Sequence, residues 1–528
     1  PLRQASPSAF VCKRGVPPPM VPSGPTMKND RSTNTQFAAA LTCGLALRLF
    51  FIYHFPARSF DTRFYEELAG NWRYHGIFGV FVQGQLLPVD MRMPGYPAFL
   101  AVIHRMFDAS PNPAMLAQAI IDLCTCVLTA ALAARLAPSP QRARVATAAV
   151  WMAALCPFLA NYTAALLTET LATFFTVAAL YLFACILEDP RLRLPPASLD
   201  ANALLSSAGW WLLAGALVGT ATLVRPDAPL VLAGAGVALL TAWHQRSEVT
   251  KLVLAGAWIT AGLLLVLLPW AARNARTLGR VQFLSPRYAE SYGDFVPRGF
   301  FAWTRTWSEH FRDAYQVTWK LGKQRIEMDS FPSAAFDSEE ERDRVGELLT
   351  RYNADLKMTP ALDREFAGLA RERAARHPFR VYVAIPATRA AAIWFTPRME
   401  LLPYSGRLVP PLEMWRGNPR DFGATSVFVL MNAAYIGMAL AGWIRRRRSL
   451  LSSPAMVMLT AFIGIRTAFL TSLQTVEPRY VMVCFPALLA IGAQAWAARV
   501  PVEQTAPYST PAAPEFLAPG NTGMRLSS

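Results

Sequence analysis

Two carboxylates in this chain stand directly beside apolar runs. Asp61 opens the stretch DTRFYEELAGNWRYHG, a few residues after a run that ends at Phe55, and Glu169 lies in NYTAALLTETLATFF, where another run begins. Arginines recur next to helix-breaking residues in comparable places: Arg92 before Pro94 in DMRMPGYPAFLA, Arg225 in LVRPDAPL, and Arg479 in VEPRYVMVCFP. A carboxylate can serve as a general base, and arginine presents a planar fork of donors that matches phosphate. Taken singly, each has a plainer reading. Asp61 suits a helix N-cap, Glu169 is a favourable charge at a helix N-terminus worth up to about 1 kcal/mol, and any one arginine suits an interfacial anchor. Convergence of several on one face is what points to a phosphate-handling site.

Asp61 precedes an amphipathic segment. Phe64, Tyr65, Leu68, Ala69 and Trp72 fall on one helical face, with Arg63, Glu66, Glu67, Asn71 and Arg73 opposite. Such a helix lies flat on a membrane with its aromatics in the headgroup layer. An acid held there is expected to be desolvated, which raises its pKa and makes it a stronger base.

These residues imply a membrane to arrange them. Of 528 residues, 53% are apolar or aromatic and only 16% are charged, a membrane composition. Ten windows are apolar for roughly the 17 to 25 residues that span a bilayer: 37–55, 113–136, 143–160, 168–187, 207–224, 227–243, 250–270, 422–444, 453–473 and 477–498. The net charge of +16 sits mostly at the ends of these windows and in one long loop, so topology and anionic lipid account for it rather than nucleic acid. All but one of the seven cysteines fall inside apolar windows and read as small core residues. With no His-Cys cluster and no strong DxD pair, no cofactor and no obligatory metal is expected.

Lys and Arg in short loops set the orientation. With the N-terminus inside, the loops carrying Arg142 and Arg144, Arg191 and Arg193, Arg246 and Lys251, and the run from Arg445 to Arg448 are all inside. This requires 94–107 and 380–397, which contain Pro and internal Arg or His, to lie in the interface without crossing. The expected organisation is a disordered cytoplasmic segment 1–36 with its natural start at Met27, and a transmembrane module 37–270 carrying the first outer loop 56–112. An extracytoplasmic loop region 271–421, C-terminal membrane helices 422–498 and a disordered tail 499–528 complete it. Two charges fall inside helices at similar depth, Arg48 about 11 Å below the outer end of the first and Asp122 about 14 Å below that of the second. They are expected to form a buried structural pair, because an unpaired charge there is costly. Arg466 has no evident partner in the sequence and is a weaker candidate for the site.

The motifs together resemble the GT-C glycosyltransferases, especially bacterial relatives of the protein O-mannosyltransferases and of the lipid A aminoarabinose transferase, of the family 39 type. DTRFYEELAGNW is similar to their first-loop motif, RMPGYPAFLA to their basic-Pro segment and LLTETLA to their second acidic loop. LPWAARNARTLG is similar to the exit of their seventh helix, and EPRYVMVCFPALLA to a late-helix motif. The match covers 37–285 well and 420–498 loosely, and 290–400 matches only in its placement. The resemblance implies an all-α polytopic membrane protein of GT-C fold, with about ten transmembrane helices, interfacial helices and an extracytoplasmic loop domain.

The resemblance also implies function. Such an enzyme is an inverting glycosyltransferase, a hexosyl- or pentosyltransferase, that moves a sugar from a polyprenyl-phosphate carrier to a lipid, glycan or protein acceptor. It works at the outer face of the bacterial cytoplasmic membrane. Asp61 would be the catalytic acid of the first loop, Glu169 its counterpart in the second, and Arg92 a contact to the carrier phosphate. Tyr65, Arg225 and Arg479 are further candidates for substrate binding. Arg63 departs from the pattern: in the aminoarabinose transferase an Arg immediately precedes the motif Tyr, the place Phe64 holds here, and one residue turns a helical side chain by about 100°. The alternatives are a lipid-linked-glycan flippase or transporter, an O-antigen ligase or polymerase, and a non-enzymatic membrane scaffold in which Asp61 is only a cap and the arginines only anchors. The absence of inverted repeats of broken helices weakens the transporter reading.

Overall fold

The computed structural model describes residues 28–107, 109–189, 201–242, 249–288, 295–447, 453–475 and 477–497. The expectations for residues 1–27, for the tail after 497, and for Arg191, Arg193, Arg246 and Arg448 lie outside the described residues. The first apolar window forms α1 (Lys28–His54), which starts nine residues before the expected boundary and takes in part of the segment read as disordered. After it come α2 (Phe60–His75), the hairpin β1 (Gly79–Val82) and β2 (Gln85–Pro88), α3 (Gly95–Met106), α4 (Pro111–Leu136), α5 (Arg142–Ala154) and α6 (Pro157–Tyr162). Next are α7 (Glu169–Glu188), α8 (Ala201–Val224), α9 (Leu230–Ala242) and α10 (Val249–Leu278). Then follow α11 (Arg298–Thr304), α12 (Phe311–Gln316), α13 (Glu339–Asp355), α14 (Pro360–Arg376), α15 (Ile385–Phe395), α16 (Pro411–Gly417), α17 (Pro419–Arg446), α18 (Pro454–Thr471) and α19 (Phe485–Gly492).

Each of the ten windows is helical. Seven helical segments are long and apolar enough to cross a membrane, while Ala208–Val224 and Leu230–Thr241 are shorter apolar stretches. The 143–160 window is broken at Cys156–Pro157 into α5, of 13 residues or about 20 Å, and α6. Along α10 and α17 only 22% and 17% of the apolar window is buried. So much bare apolar surface fits lipid, not water. The centre of the bundle is α7 and the segment Pro478–Trp496, each 78% buried.

Contacts sort the helix ends into two groups. At one end the Arg446 guanidinium, on the last turn of α17, donates to Leu136 O at the end of α4, and Ser453 beside α18 donates to Glu188 at the end of α7. At the other end gather the exits of α1, α8, α10 and α18 and the starts of α4, α7 and α9, with every candidate site residue. The strands and α3 stay at that end, and so does α15, whose Arg389 donates to Thr471 O and Leu473 O at the exit of α18. Neither 94–107 nor 380–397 crosses the bundle.

The region between α10 and α17 follows α10, which runs through Pro269 to Leu278 with Trp270 and Asn274 buried. It has its own core, in which Phe300, Trp303, Trp307, Tyr352, Leu362 and Phe366 close around one another. Arg373 of α14 is buried there, paired with Glu341 at 2.7 Å and Asp337 at 3.2 Å. The expected Arg48–Asp122 pair is present within the bundle: Arg48 Nε and Nη2 donate to Asp122 Oδ2 at 2.9 and 2.5 Å. Arg48 Nη1 also donates to Gly44 O and Ala154 O at 2.7 and 2.8 Å, so nearly all of its donors are engaged.

Candidate functional site

The site is built outward from α2. Ser59, not Asp61, is the N-cap: its hydroxyl accepts from Thr62 N at 3.2 Å, and Thr62 Oγ1 accepts from Ser59 N. Asp61 therefore lies in the first helical turn with its carboxylate free for other partners. Burial follows the predicted face for Tyr65, Leu68 and Ala69, but Asn71, expected on the polar side, is also buried, donating to Gly79 O of β1 at 2.9 Å. The chain entering α2 is fixed by Ala57 N donating to Ala164 O at 2.9 Å, which sets the first loop against the second. Tyr65 packs edge-on against Tyr96 of α3, with ring centres 5.1 Å apart. Tyr96 donates to Gln118 of α4 at 2.7 Å, and Gln118 donates in turn to Thr163 O and Ala165 O. One buried glutamine thus joins α3, α4 and the loop that ends at Glu169.

The segment bearing Arg92 is held from the other side. The hairpin turns through Gln83 and Gly84 with φ of 50° and 80°, the left-handed pair that a two-residue turn requires. Its far end is bound to α10 by Arg273, which donates to Phe78 O and Val89 O, and to the segment just after α10 by Arg280, which donates to both oxygens of Asp90 at 2.8 and 2.6 Å. Gly95 lets α3 touch α8, since a Cβ there would lie 2.6 Å from Leu223 O.

Five of the seven candidates from the sequence meet around one continuous ion-pair chain. Arg92 Nη2 donates to Asp61 Oδ1 at 3.1 Å, and Arg479 Nη2 donates to Asp61 Oδ2 at 2.9 Å. Arg479 also pairs with Glu477 and approaches Glu169 Oε1 at 3.8 Å. Glu169 accepts from Arg225 at 3.0 Å, Arg225 reaches Asp227 at 3.4 Å, and Asp227 accepts from Arg466 at 2.7 Å. The Tyr480 ring lies under both Arg225 and Arg479, 4.7 and 5.5 Å from the guanidinium carbons. The two remaining candidates stand apart. Tyr65 is buried beneath Asp61, and Arg63 is exposed and takes part in none of these pairs.

Two participants were not read from the sequence, and a third, Arg466, was only a weaker candidate. Asp227 and Glu477 lie inside the quoted motifs, two residues from Arg225 and Arg479, and that i±2 acid was the available signal. Arg466 proves to have a partner, which is Asp227.

The chain is formally neutral, four arginines against four carboxylates. Its exposure is graded: the Arg92 and Asp61 side chains are 25% and 20% accessible, those of Glu169 and Arg466 2% and 1%. The Asp61–Arg92 end is therefore the more accessible one. The expectation for the acidity of Asp61 is reversed. Burial does push its carboxyl up, but the Arg479 and Arg92 guanidiniums outweigh it and hold the group below its ordinary value. Burial, then the nearby Asp61 charge, pushes the Tyr65 hydroxyl up to about 12, so it stays protonated. Among the described residues, no three His, Cys, Asp or Glu converge as a metal-ligating group.

No protein-family model and no curated protein matches the sequence. The chain is similar to the Archaeoglobus fulgidus oligosaccharyltransferase in the apo form, at 14% identity and a TM-score of 0.47, over 87% of this chain and 50% of that one. It is similar to the oligosaccharyltransferase AglB of the same organism in complex with an inhibitory peptide and a dolichol-phosphate, at 13% identity and a TM-score of 0.46, over 89% and 50%. It is also similar to ArnT from Cupriavidus metallidurans bound to undecaprenyl phosphate, at 14% identity and a TM-score of 0.35, over 86% and 77%. The chain spans about half the length of the oligosaccharyltransferases.

Proposed function

We propose that the chain is an inverting glycosyltransferase that takes a sugar from a polyprenyl-phosphate carrier and passes it to an acceptor hydroxyl at the outer face of a bacterial cytoplasmic membrane. The observation that carries this reading is Asp61 seated between Arg92 and Arg479. A carboxylate paired with two arginines is a weak base. A phosphate arriving at those arginines competes with Asp61 for their donors, and as they turn to it the carboxyl regains basicity. The donor thus switches on its own base. The acceptor oxygen then attacks the anomeric carbon as its proton passes to Asp61. The bond to phosphate breaks on the opposite face, and the electron pair leaves with the phosphate, which Arg92 and Arg479 stabilise. A phosphate leaving group needs no general acid, so one carboxylate suffices where glycosidases use two.

Glu169, buried between Arg225 and Arg479, acts in this scheme by holding those arginines rather than by touching substrate. Asp61 and Glu169 each already hold arginine, so a metal ion would have to displace guanidinium, and we propose that none is obligatory. The test is a radiolabelled polyprenyl-phosphate sugar given to the purified protein in liposomes with candidate acceptors, with and without EDTA. Label moved to an acceptor supports the reading. Label carried across the bilayer unchanged supports a flippase, and neither outcome with any acceptor refutes both.

A further inference from the structure

We propose that Arg398 is a positioning residue for Arg479. Arg479 lies in the 3-10 turn Pro478–Cys484, a short element whose backbone must be fixed from outside if its side chain is to meet Asp61. The two peptide carbonyls that bracket Arg479 are each gripped by a guanidinium. Pro478 O accepts from Arg398 Nη1 at 3.1 Å, and Tyr480 O accepts from Arg466 Nε and Nη2 at 3.2 and 3.1 Å. Arg466 is neutralised by Asp227. Arg398 forms no ion pair among the described residues, although it is 1% exposed.

Its other donors go to Ile393 O and Trp394 O at the end of α15, at 3.0 and 3.1 Å, and to Asn432 Oδ1 of α17 at 3.4 Å. Its guanidinium lies 4.9 Å from the Phe485 ring centre. A buried cation with no salt-bridged acid, favoured only by dipoles and by the Glu400 charge beyond salt-bridge distance, is a costly way to fill space, and an apolar side chain would pack as well. What a fork of donors adds is direction: it sets three segments at defined angles, and one of them carries Arg479.

The backbone gives an independent indication. Among the described residues, three that are not glycine have positive φ: Gln83, Leu356 and Arg398. The first is in the hairpin turn and the second is a helix C-cap. Arg398, at φ 58°, has neither reason, and such a conformation persists only where surrounding contacts enforce it. Two residues on, Glu400 accepts from Tyr162 OH at 2.7 Å, and Tyr162 lines a small cavity with Glu169. The segment 398–400 therefore braces the site from both sides.

This inference rests on the reading of Arg479 as a phosphate ligand, and the test separates the two. Undecaprenyl phosphate binding is measured on the full chain in nanodiscs for wild type, Arg398→Met, Arg479→Ala and the double variant. Arg479→Ala is expected to weaken binding about tenfold. Arg398→Met is expected to approach that loss, and the double variant to lie within about twofold of Arg479→Ala alone, because one residue acts through the other. Arg398→Lys keeps the charge but not the fork; the same cycle is run with it where Arg398→Met does not fold, with the same non-additivity expected. Losses that multiply, or wild-type binding by the Arg398 variant, overturn the inference. Wild-type binding by Arg479→Ala overturns the phosphate reading instead.

Discussion

Arg479 and Asp61 meet at 2.9 Å across 418 residues of sequence, joining the first turn of α2 to the start of the last apolar segment. Because this pair occupies the donors that a phosphate would use, Asp61 is at once the base of the proposed reaction and a competitor for its substrate's anchor. Asp61→Asn is expected to lower turnover by a factor of about 100 or more. The same variant is expected to bind undecaprenyl phosphate several-fold more tightly, since a neutral amide competes less for guanidinium. Initial rates with labelled donor and equilibrium binding measure the two effects. Weaker binding together with lost turnover would place Asp61 among the phosphate's supports, not its rivals.

Glu169→Gln should change binding in the opposite direction. Glu169 accepts from Arg225 and faces Arg479, and its side chain is 2% exposed, so its loss frees no anchor that substrate can reach. The two arginines instead lose their common counter-charge and shift. Weaker undecaprenyl phosphate binding is expected, by a factor of about 10, near the lower value for a lost charge-assisted hydrogen bond. Tighter binding would move Glu169 to the substrate-facing group.

The apolar helices were legible because the length and apolarity of a run are one-dimensional properties, although the break at Cys156–Pro157 was not. The Arg48–Asp122 pair followed from counting depth along two helices, which needs only the rise per residue. Asp61, Arg92, Glu169, Arg225 and Arg479 could be placed on one face by the same counting. Their mutual pairing could not, because which arginine meets which acid depends on how α2, α7 and α18 pack. Asp227 and Glu477 were passed over although they stand two residues from arginines that were singled out. Arg398 and the hairpin were hidden for another reason: their partners are backbone carbonyls, which every residue possesses and no sequence marks. The core around Trp303 was passed over although α13 and α14 are 17 residues each and bury Val345, Leu348, Leu349 and Tyr352, and Leu362, Phe366 and Leu369, at helical spacing; α11 and α12, of seven and six residues, are too short to show a period.

The acidity of Asp61 and Asp227 has a consequence for stability. Burial raises both carboxyls, but Arg479 and Arg92 on Asp61, and Arg466 and Arg225 on Asp227, leave both below their ordinary value of 3.8. A group whose folded pKa lies below its unfolded one contributes stability above the unfolded value and loses it as pH falls through the folded value. Thermal stability in detergent should therefore keep this contribution across the neutral range and lose it below pH 3.8. Asp227→Asn should have a lower Tm at neutral pH and a shallower decline below that point. An unchanged slope in the variant would mean that the Arg466–Asp227 pair does not contribute.

The buried pair within the bundle allows a sharper separation of charge from packing. Arg48 has its donors on Asp122, Gly44 O and Ala154 O, with Cys126 Sγ at 3.3 Å, and its side chain is fully buried. Asp122→Ala leaves the guanidinium buried against two carbonyls and a thiol, and is expected to destabilise by about 3 to 5 kcal/mol. Replacing both residues, Arg48→Met with Asp122→Leu, removes the two charges while keeping most of the volume, and should recover most of that loss. Unfolding monitored in detergent for the single and double variants decides between the two costs. If the double variant is as unstable as Asp122→Ala, the pair is holding α1, α4 and α5 together through its directed hydrogen bonds, and neutralising the charges cannot replace it.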